Sequence, residues 1–164
     1  GILRTSRVPA VEAELQAQAE AHGARLLDAL KYVGVLAVEF FETARGLVAN
    51  EMAPRVHNSG HWSQDGALTS QFENHVRAIL DLPLGPTGLR GQAAAMVNFI
   101  GGIPPREACL AGTEDGVVRA LHLYDKAPRP GRKVGHWNLW GEDAEAVGRA
   151  LEEAAHLADR HGDG

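Results

Sequence analysis

The sequence predicts an α+β fold in two parts. Residues 1–85 read as an antiparallel sheet with helices, and residues 92–164 as a small β-rich domain ending in a helix. Three observations predict this. Apolar residues recur at helical spacing near both ends of the chain and form strand-like runs between them. A Gly/Pro-rich stretch at 83–91 separates the two parts. Hydrophobic residues make up 45% and charged residues 23% of 164 residues, a composition able to bury a core in one domain or two small ones.

Residues 9–31 read as a helix, because Val11, Leu15, Ala19, His22, Leu26 and Leu30 share one stripe at spacings of three and four. Pro9 precedes it, and Gly23 weakens its middle. Residues 33–41 form a nearly continuous apolar run, which predicts a buried strand, and 47–52 its partner. The connection Ala44-Arg45-Gly46 suits a three-residue hairpin loop. A polar loop covers 54–66, where Pro54 and Gly60 oppose a helix. A helix over 67–80 follows, with Leu68, Phe72, Val76 and Ile79 on one face. Strands are expected at 93–100, 117–124 and 134–139. The closing helix, 142–160, carries Val147, Leu151, Ala154 and Ala158 as its stripe, and His161-Gly-Asp-Gly reads as a frayed tail.

Charge and cysteine content narrow the function classes. Lys plus Arg is 16 and Asp plus Glu is 21, so the net charge is −5, unsuited to general binding of nucleic acid or anionic membranes. No apolar run approaches the ~20 residues of a membrane span. The single cysteine, Cys109, allows no intramolecular disulfide, which points to a reducing compartment, and it reads as a small buried hydrophobe. Met52 and Met96 read as core. His22, His75 and His156 read as surface or packing residues.

Three constellations carry chemistry. Glu39 is the one charge inside its apolar strand, and ionised carboxylates are rarely buried alone. With Ala44–Gly46 as the loop, Thr43 faces Leu47 and Glu39 falls opposite Glu51. Like charges directly opposed repel, so a pair aimed at one point favours a divalent cation such as Mg2+ or Mn2+, with Asn50 as a further oxygen donor. A hairpin slipped by one residue would instead send one Glu to solvent. The loop after it, Glu51-Met-Ala-Pro-Arg-Val-His-Asn-Ser-Gly-His-Trp, gathers Arg55, His57, Asn58 and Ser59. Beside a metal pair these donors suit anion handling; alone they suit a capped surface turn. The third is Lys126-Ala-Pro-Arg-Pro-Gly-Arg-Lys-Val-Gly-His, with Lys126, Arg129, Arg132, Lys133 and His136 and no acid. Its prolines and glycine restrict the shape, which preorganises cations for a phosphate monoester; a solvated charge run is the other reading.

Taken together these runs resemble a family. Gly34-Val-Leu-Ala-Val-Glu-Phe-Phe, Asn50-Glu-Met-Ala-Pro-Arg-Val-His-Asn-Ser-Gly-His-Trp, Thr69-Ser-Gln-Phe-Glu-Asn-His, Ala95-Met-Val-Asn-Phe-Ile-Gly and Leu123-Tyr-Asp-Lys-Ala-Pro-Arg-Pro-Gly-Arg-Lys-Val-Gly-His occur in the order seen in carboxyaminoimidazole ribonucleotide synthetases. These belong to the ATP-grasp superfamily. The resemblance implies the C-terminal half of an ATP-grasp domain followed by the family's small C-terminal domain. It implies an ATP- and bicarbonate-dependent ligase of purine (IMP) biosynthesis, which carboxylates the amine of aminoimidazole ribonucleotide through carboxyphosphate. Glu39 and Glu51 match the magnesium ligands, with Asn50 in the same site. Arg55, His57, Asn58 and Ser59 match the loop that handles the carboxyphosphate and the amine. Lys126 and Arg132, with Lys133 beside them, match the residues that hold the ribonucleotide phosphate.

Family members are considerably longer, and their nucleotide-binding-like domain and ATP lid precede the first residue here. The expectation is therefore a cytoplasmic enzyme portion, inactive alone, whose partners are small molecules and the missing N-terminal half, with a homodimer as the family's usual assembly. Another ATP-grasp ligase or carboxylase would keep the metal pair but leave the basic loop without a purpose. A non-catalytic anion-binding module would need neither glutamate.

Overall fold

The computed structural model describes residues 2–110 and 116–162. Its centre is a four-stranded antiparallel sheet of β1 (Thr5–Val8), β4 (Ala93–Ile100), β6 (Lys133–Gly141) and β5 (Val118–Leu123), side by side in that order. β2 (Ala37–Thr43) and β3 (Gly46–Ala53) form a separate hairpin. The helices are α1 (Ala13–Leu30), α2 (Ser63–Gly66), α3 (Gln71–Ile79), α4 (Arg106–Leu110) and α5 (Ala144–His161).

The alternation of strand side chains sorts the sheet into two faces. Ala93, Ala95, Val97 and Phe99 of β4 and Trp137 and Leu139 of β6 face α5, where Ala146, Val147, Ala150, Ala154 and Ala158 complete the core. Small alanines on α5 let the helix lie close over the strands. Asp143 caps α5, its Oδ1 accepting from the Glu145 and Ala146 amides at 2.8 and 3.1 Å. Cys109 packs in this core as expected, and burial pushes its thiol pKa up, with Glu107 adding to the effect. The opposite face carries Asn98 on β4, His136 and Asn138 on β6 and His122 on β5. This polar face receives the 54–66 segment.

Several elements depart from the sequence expectation. β1 was not foreseen; it pairs with β4, so a strand from the start of the chain edges a sheet otherwise built from residues beyond 92. The first helix begins at Ala13 rather than residue 9, four residues after Pro9. The helix expected over 67–80 starts at Gln71, because the Ser70 hydroxyl caps it by accepting from the Glu73 amide at 3.1 Å. The 54–66 loop contains a 3-10 turn at Asn58–Gly60 and the short α2. Met52 is exposed, whereas Met96 is fully buried. Val76 and Ile79 of the α3 stripe are also exposed, and no residue of α1 is buried. The helix expected over 142–160 runs through His161, so only part of the expected frayed tail is described, residues 163 and 164 lying outside the described residues. Among the described residues no helix is long and apolar enough to cross a membrane.

Candidate active site

The hairpin brings Glu39 and Glu51 face to face, by a route the sequence did not indicate. The turn is two residues long, with Thr43 paired to Gly46 rather than Leu47. In that register an unbroken ladder would put Glu39 opposite Asn50 and send Glu51 to the other face. A bulge between Glu39 and Phe40 absorbs Asn50 as the extra residue, and Glu39 then faces Glu51. Asn50 points to the same place, its Nδ2 lying 3.4 Å from Glu39 Oε2.

His57 joins the pair. One ligand atom from each of Glu39, Glu51 and His57 lies within 4.8 Å of the others. His57 Nδ1 is 3.7 Å from Glu39 Oε1 and 2.8 Å from Ser59 Oγ. Gln71 on α3 fixes this stretch. Its Oε1 accepts from the His57 amide at 3.0 Å, and its Nε2 donates to the His57 carbonyl at 2.8 Å and lies 3.0 Å from His61 Nδ1. His57 and His61 are thus bridged by an amide rather than aimed at one ion. Arg55 is exposed, with Nη1 donating to the Val56 carbonyl at 3.0 Å, so most of its fork is open to solvent.

Beneath the loop lies a polar cluster that sequence reasoning missed, apart from His136, which it had read as part of the cationic basic loop and which instead is buried on β6. Asn98, His136 and His122 are cross-strand neighbours on β4, β6 and β5, and the His122 and His136 rings stack at 4.5 Å. Asp65 Oδ2 is 2.7 Å from both His122 Nε2 and Asn138 Nδ2. Burial alone would raise the Asp65 pKa, but the bonds from His122 and Asn138 outweigh it and hold the carboxyl low. Burial pushes His136 down to about 3, helped by His122 and His61. Burial also pushes His61 down to about 4, with His57, Lys133 and His122 adding to it. Both rings are therefore neutral at physiological pH. The sequence did hold a signal here: His136, Asn138 and Trp140 alternate with Trp137 and Leu139 along one strand.

The basic loop closes the site from the other side. A turn from Arg129 to Arg132, with Gly131 at φ 71°, curls Lys126, Arg129, Arg132 and Lys133 around a cavity of about 510 Å³. Lys126 Nζ sits 5.1 Å from the centre of the Tyr124 ring, a cation–π contact. Lys133 reaches across to the other loop, its Nζ donating to Asn58 Oδ1 at 2.7 Å. Burial lowers the Lys133 pKa, and Glu39 partly offsets this. The three predicted groups therefore form one continuous surface, from Glu51 through His57 and Asn58 to Lys133 and Lys126. Arg132 stays on the cavity wall, within 3.5 Å of the Ala127 carbonyl.

Known proteins share the sequence and fold of most of this chain. Residues 1–72 match the ATP-grasp domain, and residues 94–150 match the phosphoribosylaminoimidazole carboxylase C-terminal domain. A crystal structure of N5-carboxyaminoimidazole ribonucleotide synthetase from Thermus thermophilus superposes with a TM-score of 0.88 at 52% identity, covering 97% of this chain and 43% of that one. In sequence and in fold the chain matches the ATP-grasp carboxyaminoimidazole ribonucleotide synthetase family. The N5-carboxyaminoimidazole ribonucleotide synthase of Pseudomonas aeruginosa is 49% identical over 159 residues, which are 97% of this chain and 42% of that protein. The Aspergillus clavatus N5-carboxyaminoimidazole synthase, solved in complex with ADP and 5-aminoimidazole ribonucleotide, is 31% identical, with a TM-score of 0.85 over 98% of this chain and 45% of that one. The chain thus spans about two fifths of the length of the relatives it matches.

Proposed function

We propose that the enzyme containing this chain is a 5-(carboxyamino)imidazole ribonucleotide synthase, which uses ATP and bicarbonate to carboxylate aminoimidazole ribonucleotide. The observation that carries the reading is the direct contact between two loops of different chemistry. Lys133 of the basic cavity touches Asn58 of the loop beside the Glu39–Glu51 pair. A phosphorylated acceptor and a nucleotide phosphate can then be held side by side.

The roles follow from the side chains. Glu39 and Glu51 supply hard oxygens at one point beside His57, a donor set that fits Mg2+ or Mn2+. Asn50 lies in the same site and would offer its oxygen once its amide turns from the Glu39 carboxylate. Such an ion, when bound, neutralises charge on the nucleotide phosphates. Arg55, His57, Asn58 and Ser59 form the catalytic loop. The open Arg55 fork suits a carboxyphosphate, and the His57–Ser59 pair offers donors beside it. Lys126, Arg132 and Lys133 hold the phosphate of the ribonucleotide. Bicarbonate oxygen attacks the terminal phosphorus of ATP and ADP leaves. The ribonucleotide amine then attacks the carboxyl carbon, inorganic phosphate leaves, and the amine gives up one proton. Residues 1–85 would act on the nucleotide and 92–164 on the acceptor. The proposal extends to a cytoplasmic homodimer whose remaining residues complete the ATP site, and to inactivity of the 164 residues alone.

The test is ADP release by the intact reading frame with ATP and bicarbonate, with and without aminoimidazole ribonucleotide. Release that depends on the ribonucleotide and falls at least about 100-fold in Glu51→Gln is expected. No such release from well-folded wild-type protein would sink the assignment and reopen the acceptor.

A further inference from the structure

Asn58 sits where the two loops meet, and its amide is already engaged by the protein. Asn58 Oδ1 accepts from Lys133 Nζ at 2.7 Å and from Asn98 Nδ2 at 2.7 Å, while Asn58 Nδ2 donates to Asn98 Oδ1 at 2.9 Å. Both acceptor positions of the Asn58 oxygen and one of its two N–H donors are therefore taken up by the protein itself.

Its orientation is also fixed. An ammonium only donates, so the Asn58 atom facing Lys133 is the oxygen. The Asn98 atom facing that oxygen is then nitrogen, and the same nitrogen donates to the Leu3 carbonyl at 2.9 Å. Asn98 is 3% exposed and its backbone amide donates to the Arg4 carbonyl at 2.8 Å, so the anchor is held by β4 and by the residues just before β1. A neutral acceptor also directs the Lys133 ammonium without cancelling its charge.

We propose that Asn98 is a positioning residue of the carboxylation: it clamps Asn58, and through it Lys133, so that the carboxyl-handling loop and the phosphate-holding cavity keep one fixed separation. Asn58 is then the joint between the two loops. This rests on the carboxylation proposed above.

The experiment measures, on the intact reading frame, ADP release and consumption of aminoimidazole ribonucleotide side by side. Asn98→Ala removes the anchor; Asn98→Asp keeps its shape but puts an acceptor where Nδ2 donates to Asn58 and Leu3. Each is expected to raise KM for the ribonucleotide about tenfold and to increase the ADP released per carboxylated product. ADP release without the ribonucleotide should stay unchanged. If Asn98→Ala fails to fold, Asn98→Asp decides the question alone. Activity that falls only with the folded fraction, at unchanged KM and unchanged coupling, would overturn the proposal. A wild-type enzyme without ribonucleotide-dependent ADP release would overturn the function reading and this one with it. Wild-type release alongside unaffected variants would overturn the joint alone.

Discussion

His61 and His136 are neutral rings packed against each other where the 54–66 loop meets the sheet, and their burial makes the fold sensitive to acid. Their folded pKa values, about 4 and about 3, lie below the ordinary value of 6.5. The unfolded chain therefore binds more protons than the native one between about pH 6.5 and those values. Stability is fully present above pH 6.5 and declines as pH falls through that window, by about 1.4 kcal/mol per pH unit for each such ring. Urea midpoints measured from pH 7.5 to 4.5 should show this slope, and His136→Gln should flatten it. A midpoint independent of pH would contradict the burial argument. The Glu39–Glu51 pair gives a second prediction at the same scale. Opposed carboxylates repel, so Glu51→Gln in chelator should melt no lower than wild type. Added Mg2+ should raise the melting temperature of wild type by binding the native state and leave Glu51→Gln unmoved. Equal shifts in both proteins would place the ion elsewhere.

Elements whose signal is local were legible in the sequence. β4 is a run of seven apolar residues interrupted only by Asn98 at 93–100 and appears at those bounds. α5 has a clear alanine-rich stripe and a capping aspartate. That cap is itself testable: Asp143→Ala should cost about 1 kcal/mol and lower the melting temperature, while Asp143→Asn should recover most of it. No difference between the two variants would show the cap to be idle. β1 was not legible, because Thr5-Ser-Arg-Val carries no pattern of its own and is a strand only by virtue of β4. The hairpin is an intermediate case. Its two glutamates were paired correctly, yet the three-residue loop was wrong, and the unforeseen bulge at Asn50 compensated for the error. The site follows the same division. Each chemical group was readable within its own loop. The links between them, Asn58 to Asn98 and Asn58 to Lys133, join residues far apart in the chain and have no signature in spacing.

At the scale of the molecule, the apolar core sits on one side of the sheet and the chemistry on the other. Exposed apolar residues collect on the parts away from that core, among them Phe41, Val48, Met52, Val76 and Ile79. β1 joins the two regions, since it edges the sheet and leads directly into α1. Deleting residues 1–8 should uncover the β4 edge and release Asn98 from the Leu3 carbonyl. Hydrogen exchange at the β4 amides should then accelerate at least about tenfold, while the β5–β6 ladder keeps its protection. Uniform protection across both strands would mean that β1 is not part of the cooperative unit.

The same strand order sets a schedule for synthesis. β1 leaves the ribosome ahead of the other elements described here, but β4, its neighbour in the described sheet, begins at Ala93. At ordinary elongation rates of about 5–20 residues per second, that partner arrives roughly 4–17 s later. In the interval the hairpin and α3 can form from contacts close in sequence, whereas the sheet must wait for its most distant pairing. The nascent chain can therefore complete the Glu39–Glu51 hairpin well before the cavity of the basic loop exists, and the bond from Lys133 to Asn58 is among the later contacts its order of emergence allows.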